Sequence, residues 1–298
     1  MTRILSTTDL TKRFGRLTAV DRLNLGIDKG QVFGILGPNG SGKTTTLAML
    51  LGAVKVTSGS FSWFESGDNY ALRKRIGAIL EHPIFFPFLS AVDNLKITAH
   101  IKDITKPPID ETLEMVGLAD RKKDPYRTYS LGMKQRLAIA AAMINDPEVL
   151  IFDEPTNGLD PQGIADIRRL ITDISAMGKT IILASHLLDE VQKVCSHFCV
   201  LQRGRMIFAG SIQDVMNQKQ RIEVGSADLG ALHKAVAGHH LVKSVEQKNG
   251  VLLVQGVGLT TDVLNRYLFD QGIAASHLVL VRSNLEEQFL EILRENAG

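Results

Sequence analysis

One eight-residue stretch constrains this chain more than any other. Gly37-Pro38-Asn39-Gly40-Ser41-Gly42-Lys43-Thr44 fits G-x-x-x-x-G-K-[ST]. Its glycines let successive N–H groups turn inward, the geometry that cradles phosphate oxygens. The run Gln31-Val32-Phe33-Gly34-Ile35-Leu36 before it reads as a buried strand, and Thr44 to Leu51 after it as a helix. That order sets the positive end of the helix against the loop. Gly37 through Thr45 are therefore candidate nucleotide contacts. Lys43 is expected to reach the β- and γ-phosphates, and the Thr44 hydroxyl to bind Mg²⁺.

A second element completes this chemistry. Val149-Leu150-Ile151-Phe152 is an apolar run followed at once by Asp153-Glu154. A buried strand carries acids cheaply only at its end, where charge meets metal or water. Neighbouring strand residues point in opposite directions, so the two carboxylates divide the work. Asp153 is expected to hold Mg²⁺ and Glu154 to polarise the attacking water. Taken alone, Asp-Glu-Pro is also a fair solvated strand exit; the phosphate loop upstream favours the metal reading.

Thr180 to Ala184 is a further buried-strand candidate, and residues 90–147 read mainly as helix, punctuated by Pro107-Pro108 and Asp124-Pro125. Continuous apolar strands between helical stretches imply an α/β fold with a mostly parallel sheet covered on both faces. A length of 298 residues suits two domains. The character changes near residue 215, and the polar run Asn217-Gln218-Lys219-Gln220 sets the expected boundary between residues 1–216 and 217–298. Beyond it the pattern predicts strand 221–225, helix 229–238 and strand 242–247. An Asn249-Gly250 hairpin turn leads into strand 251–255, then helix 261–271 and strand 277–282. A last helix is expected over 285–295, where Asn284 and Glu287 form a capping box and Leu285, Phe289, Ile292 and Leu293 share a face. This is a small α+β unit, with a ferredoxin-like order as the candidate.

Composition narrows the function classes. With 34 basic and 32 acidic residues the net charge is +2, which excludes broad nucleic-acid binding by charge alone. Two cysteines, Cys195 and Cys199, exclude a disulfide framework and suit a reducing compartment. Their spacing resembles a metal pair, but the local pattern reads as core packing. The first residues hold no apolar stretch of signal-peptide length. The longest clean apolar run, Leu137 to Ile144, is too short to span a bilayer. A membrane role would come through a partner.

Three further motifs narrow the choice among nucleotide hydrolases. Tyr129-Ser130-Leu131-Gly132-Met133-Lys134-Gln135-Arg136 precedes the Asp153-Glu154 strand by a short helix; Gly158-Leu159-Asp160-Pro161 follows that strand; Ser185-His186 ends the next. In this order they resemble the signature, D-loop and switch-histidine segments of ABC-transporter ATPases, over roughly residues 4–215. The resemblance implies a P-loop fold with antiparallel N-terminal strands and a helical subdomain at about 82–147. It implies ATP and Mg²⁺, and a head-to-tail homodimer or pseudo-dimer with each ATP between one subunit's phosphate loop and the other's signature. Ser130 and Gly132 would then meet the γ-phosphate across the interface, His186 would hold the attacking water's geometry, Asp160 would link the two sites, and Phe14 would stack on adenine. Bland alternatives exist for three of these: core packing for Phe14, and helix capping for Ser130 and His186.

Two departures from the commonest family pattern stand out. Tyr129, Leu131 and Met133 replace the usual Leu, Gly and Gln of the signature, and Glu81 takes the place of a loop Gln. Glu81 can still help hold Mg²⁺, but when ionised it cannot donate a hydrogen bond to water. Both departures resemble the subgroup that pairs with ABC-2-type membrane subunits, including bacterial exporters that protect against peptide antibiotics. That implies a separate permease partner at the cytoplasmic face of the membrane. The apolar run Pro83-Ile84-Phe85-Phe86-Pro87-Phe88-Leu89 is the candidate docking surface, unless its rings pack the helical subdomain. The competing readings are a soluble ABC ATPase of DNA repair or translation, and a binding module centred on the C-terminal unit. Sustained coiled-coil heptads and a second phosphate loop, which the repair and translation classes need, are both missing from the sequence.

Overall fold

The computed structural model describes residues 2–66, 70–80, 84–218 and 221–281. Glu81 and the expected helix over 285–295 lie outside the described residues. The chain divides into two compact units, Met1–Ser211 and Ile212–Gly298.

The first unit opens with β1 (Arg3–Phe14), β2 (Leu17–Leu23) and β3 (Gly26–Asp28). Next come β4 (Val32–Leu36), α1 (Lys43–Leu50), β5 (Ser58–Trp63), α2 (Tyr70–Arg73) and β6 (Ile76–Ile79). Helices α3 (Ala91–Ile101), α4 (Ile109–Met115) and α5 (Leu131–Met143) follow. The unit closes with β7 (Val149–Asp153), α6 (Pro161–Ala176), β8 (Thr180–Ser185), α7 (Leu188–Val194), β9 (His197–Gln202) and β10 (Arg205–Ser211). Strands β2, β3 and β5 all pair antiparallel with β1. The other sheet runs β10-β9-β4-β8-β7-β6, parallel except where β10 returns beside β9.

Every residue of β4, β7 and β8 is buried, as parallel strands covered on both faces require. α6 is amphipathic instead: Ile167, Leu170, Ile171 and Ile174 form its buried face, Asp160 caps it and Pro161 opens it. The core joins both sheets through α1, with Leu5, Leu10 and Ile27 against Ile35, Leu47, Met49 and Ile151. Trp63 is fully buried there, and its indole N–H donates to the Leu50 carbonyl at 2.9 Å, satisfying a backbone group at the end of α1. Cys195 and Cys199 are buried and unpaired. Burial in apolar surroundings pushes the Cys199 thiol up to about 12, so both act as small core hydrophobes.

The second unit comprises α8 (Ile212–Gln218), β11 (Arg221–Gly225), α9 (Leu229–Ala237), β12 (Val242–Lys248), β13 (Val251–Gly256), α10 (Thr261–Asp270) and β14 (His277–Val281). Its antiparallel sheet has the order β12-β13-β11-β14. It has its own core of Ile222, Val224, Leu232, Val236, Leu252, Val254, Leu264 and Leu268. The polar run starting at Asn217 falls inside this unit instead of between the two, because α8 begins directly after β10 with no intervening loop.

Candidate active site

Register brings the first group of residues together. Leu36 pairs with Ser185 and Asp153 with Ala184 across the parallel strands β4, β8 and β7. The carboxyl ends of three neighbouring strands therefore deliver Gly37, His186 and Glu154 to one edge, the position where open α/β sheets bind ligands. The Gly37 N–H donates to the Ser185 carbonyl at 3.3 Å and the Glu154 N–H to the Ala184 carbonyl at 2.9 Å.

The phosphate loop needs its glycines. Gly42 has φ +107°, and a Cβ there would lie 2.5 Å from the Ala19 carbonyl oxygen. A Cβ on Gly37 would lie 2.3 Å from the Leu201 carbonyl oxygen. Pro38, Asn39 and Gly40 are exposed, whereas the Ser41 and Lys43 side chains are buried. Thr44 and Thr45, half-buried, open α1. The Lys43 ammonium lies 2.8 Å from the Gly37 carbonyl, 3.3 Å from the Pro38 carbonyl and 3.3 Å from Glu154 Oε1.

Glu154 stands at φ +49°, a left-handed conformation that favours glycine and carries local strain. Its other oxygen, Oε2, lies 2.8 Å from His186 Nδ1 and accepts from the His186 backbone N–H at 3.3 Å. Lys43, Glu154 and His186 thus form one connected chain. Asp153, buried at the strand end, is its neighbour. Phe14 closes β1 ahead of the Gly15 turn; it is 49% exposed, which removes the core-packing alternative, and the Lys12 ammonium sits 4.7 Å from its ring centroid.

The remaining candidates lie elsewhere on the same unit. Ser130, Gly132 and Asp160 line a cleft of about 360 Å³ with Leu131, Gly158 and Leu159; Lys43, Glu154 and His186 take no part in its walls. Ser130 caps α5, accepting from the Met133 N–H at 3.3 Å, and Asp160 caps α6, accepting from the Gly163 N–H at 3.0 Å. Of the aromatic run, Phe85 packs edge-on against Tyr126, while Ile84, Phe86 and Phe88 are exposed. The buried Asn94 side chain pins this segment, accepting from the Phe86 N–H and donating to the Phe86, Leu89 and Ser90 carbonyls.

Thr156, Glu190 and Arg168 also meet close to Glu154. They belong to none of the sequence motifs, and the one local hint is an acid four positions after His186.

The family model for ABC transporters matches residues 20–157. The bacitracin transport ATP-binding protein BcrA of Bacillus licheniformis is 37% identical over 302 residues, 98% of each chain. The lantibiotic transport ATP-binding protein SrtF of Streptococcus pyogenes is 40% identical over 68% of this chain and 89% of its own. Among solved structures, cbiO1 of Clostridium perfringens, part of an ABC transporter complex, superposes with TM-score 0.65 at 32% identity, covering 72% of this chain and 91% of its own. An ATP-binding cassette solved as a dimer in a post-hydrolysis state, bound to ADP and Pi, superposes with TM-score 0.62 at 25% identity, covering 70% and 99%. The repair and translation reading finds no support in these relatives. With a phosphate loop, a strand-end carboxylate pair and a histidine on one sheet edge, in a chain matched over 98% of its length by a bacitracin transport ATP-binding protein, this protein belongs to the ATP-binding proteins of ABC transporters and is an ATPase.

Proposed function

We propose that the chain is the ATP-hydrolysing subunit of an exporter, working as a homodimer or pseudo-dimer at the cytoplasmic face of the membrane and driving a separate ABC-2-type permease. One observation carries this reading: the expected ATP contacts fall on two separate surfaces of one chain. A second copy, head to tail, would bring its Ser130–Gly132 cleft to the first copy's Lys43. Gly132 supports this, since a Cβ there would meet nothing closer than Leu159 Cδ2 at 4.0 Å. Among the described residues no neighbour demands glycine at that position, so the open approach suits an outside ligand. Caps and phosphate contacts are compatible at Ser130, because a hydroxyl both donates and accepts.

In this reading the loop N–H groups and Lys43 hold the β- and γ-phosphates, and Phe14 stacks on adenine. The Thr44 hydroxyl and Asp153 are hard oxygen donors beside the loop and fit Mg²⁺, with Glu81 added from the sequence. The ion, when bound, offsets phosphate charge. Glu154 takes the proton of the attacking water, and the contact between His186 Nδ1 and Glu154 leaves the histidine's Nε2 for the γ-phosphate. Ile84, Phe86 and Phe88 are the docking surface for the permease, since an exposed apolar patch on a pinned segment marks an interaction site. The names of the relatives support a peptide antibiotic as cargo. The βαββαβ order of the second unit supports a ferredoxin-like domain.

Co-purification from mild-detergent extracts of the native host, read by mass spectrometry, tests the proposal. A multi-spanning permease at near-equal stoichiometry is the expected result. Recovery with ribosomes or DNA in the soluble fraction would reject it.

A further inference from the structure

A buried carboxylate outside the nucleotide contacts joins three parts of the catalytic edge. Glu190 is 2% exposed and sits in the first turn of α7, four residues beyond His186 in sequence. Its Oε2 accepts from the Thr156 hydroxyl at 2.6 Å, and Thr156 is itself 3% exposed. Its Oε1 accepts from Arg168 of α6 through Nε at 3.2 Å and Nη2 at 2.9 Å. Arg168 Nη2 also reaches Asp189 at 2.7 Å, and Asp189 pairs with Lys193. Thr156 lies two residues past Glu154, and its carbonyl accepts from the Leu159 N–H at 3.1 Å. The turn carrying Glu154 toward Asp160 is thus hung on Thr156, and Thr156 on Glu190.

The geometry points to Thr156, Glu190 and Arg168 as a positioning unit that fixes Glu154 and the Gly158–Asp160 turn relative to His186. None of the three touches the Lys43–Glu154–His186 chain directly. Each side chain instead ties one element: Thr156 the turn after β7, Glu190 the helix after β8, Arg168 the helix capped by Asp160. A buried carboxylate is tolerated only when paired and hydrogen-bonded. Both of its oxygens are spent here on contacts that set one element against another. Small displacements of a positioned base are costly to catalysis: a shift of about 1 Å can lower a rate by about 10²-fold. The phosphate loop is not part of the unit, so nucleotide affinity should be spared. This inference rests on Glu154 and His186 being catalytic, as proposed above.

Steady-state ATPase kinetics of the full-length protein test it, with melting temperature measured alongside. Thr156→Val keeps the shape and deletes the hydroxyl; Thr156→Ser keeps the hydroxyl. The expected result for Thr156→Val is kcat lowered about tenfold or more, equivalent to about 1.4 kcal/mol in the barrier, with KM for ATP within about twofold. Thr156→Ser should restore kcat. Arg168→Lys, which cannot offer the two-pronged contact, should show the same split between kcat and KM. Thr156→Val with near-normal kcat would overturn the inference, as would a lowered kcat that Thr156→Ser fails to rescue. Glu154→Gln and His186→Ala, run in parallel, separate the two levels. If both stay inactive while Thr156→Val is normal, only the positioning role fails. If either one turns over normally, the catalytic assignment falls and this inference with it.

Discussion

Phe14 and Glu154 show how single residues set testable behaviour. Phe14 is half exposed at a hairpin end, so Phe14→Ala should leave stability nearly unchanged and weaken ATP binding about tenfold, since stacking on a base is worth about 1–3 kcal/mol. Isothermal titration against ATP, beside a thermal melt, checks both halves. Glu154→Gln should retain ATP binding and lose about 10²–10⁴-fold in hydrolysis, the range for a general base; near-normal turnover would reject its role. Glu81→Gln, by contrast, should keep ATPase activity. The Glu154 expectation came from residue type and spacing, because strand-end acids behind a glycine loop serve few purposes, whereas those for Phe14 and Glu81 came from the family resemblance. The links among Lys43, Glu154 and His186 were not, since partners 32 or more positions apart meet only through strand register.

At the scale of elements, packing decides what substitutions do. Trp63 is fully enclosed between β1, β5 and α1, so Trp63→Ala should destabilise the first unit by about 3–5 kcal/mol, measurable as a lowered denaturant midpoint. Phe86→Ser should act the other way round, impairing co-assembly with the permease far more than ATP affinity or stability, because that ring is exposed; equal losses would assign Phe86 to the fold. The buried strands β4, β7 and β8 were readable because continuous apolar runs have few alternatives in an α/β chain. The N-terminal strands were reached only through family resemblance. β1 mixes Leu5 and Leu10 with Thr7, Thr8 and Thr11, and its irregular registers break the alternation that would mark it.

For the whole molecule, two units with separate cores imply two unfolding events. Saturating ATP should raise the midpoint of one transition and leave the other in place: a ligand at 100 times its Kd adds about 2.7 kcal/mol to the unit that binds it. Scanning calorimetry with and without MgATP checks this, and a single merged transition that shifts as one would contradict it. The two units divide at Ser211, ahead of the polar run from Asn217, because α8 follows β10 directly and extends through Gln218. The lysine of the phosphate loop has a consequence for the order of events. Its ammonium has three protons and already faces three oxygens, from Gly37, Pro38 and Glu154. An arriving phosphate would therefore compete with these oxygens for the same ammonium. If phosphate takes Glu154's place at Lys43, the ammonium releases the carboxylate in the same exchange. On the proposed role of Glu154 as the base, loading and arming would then be a single event.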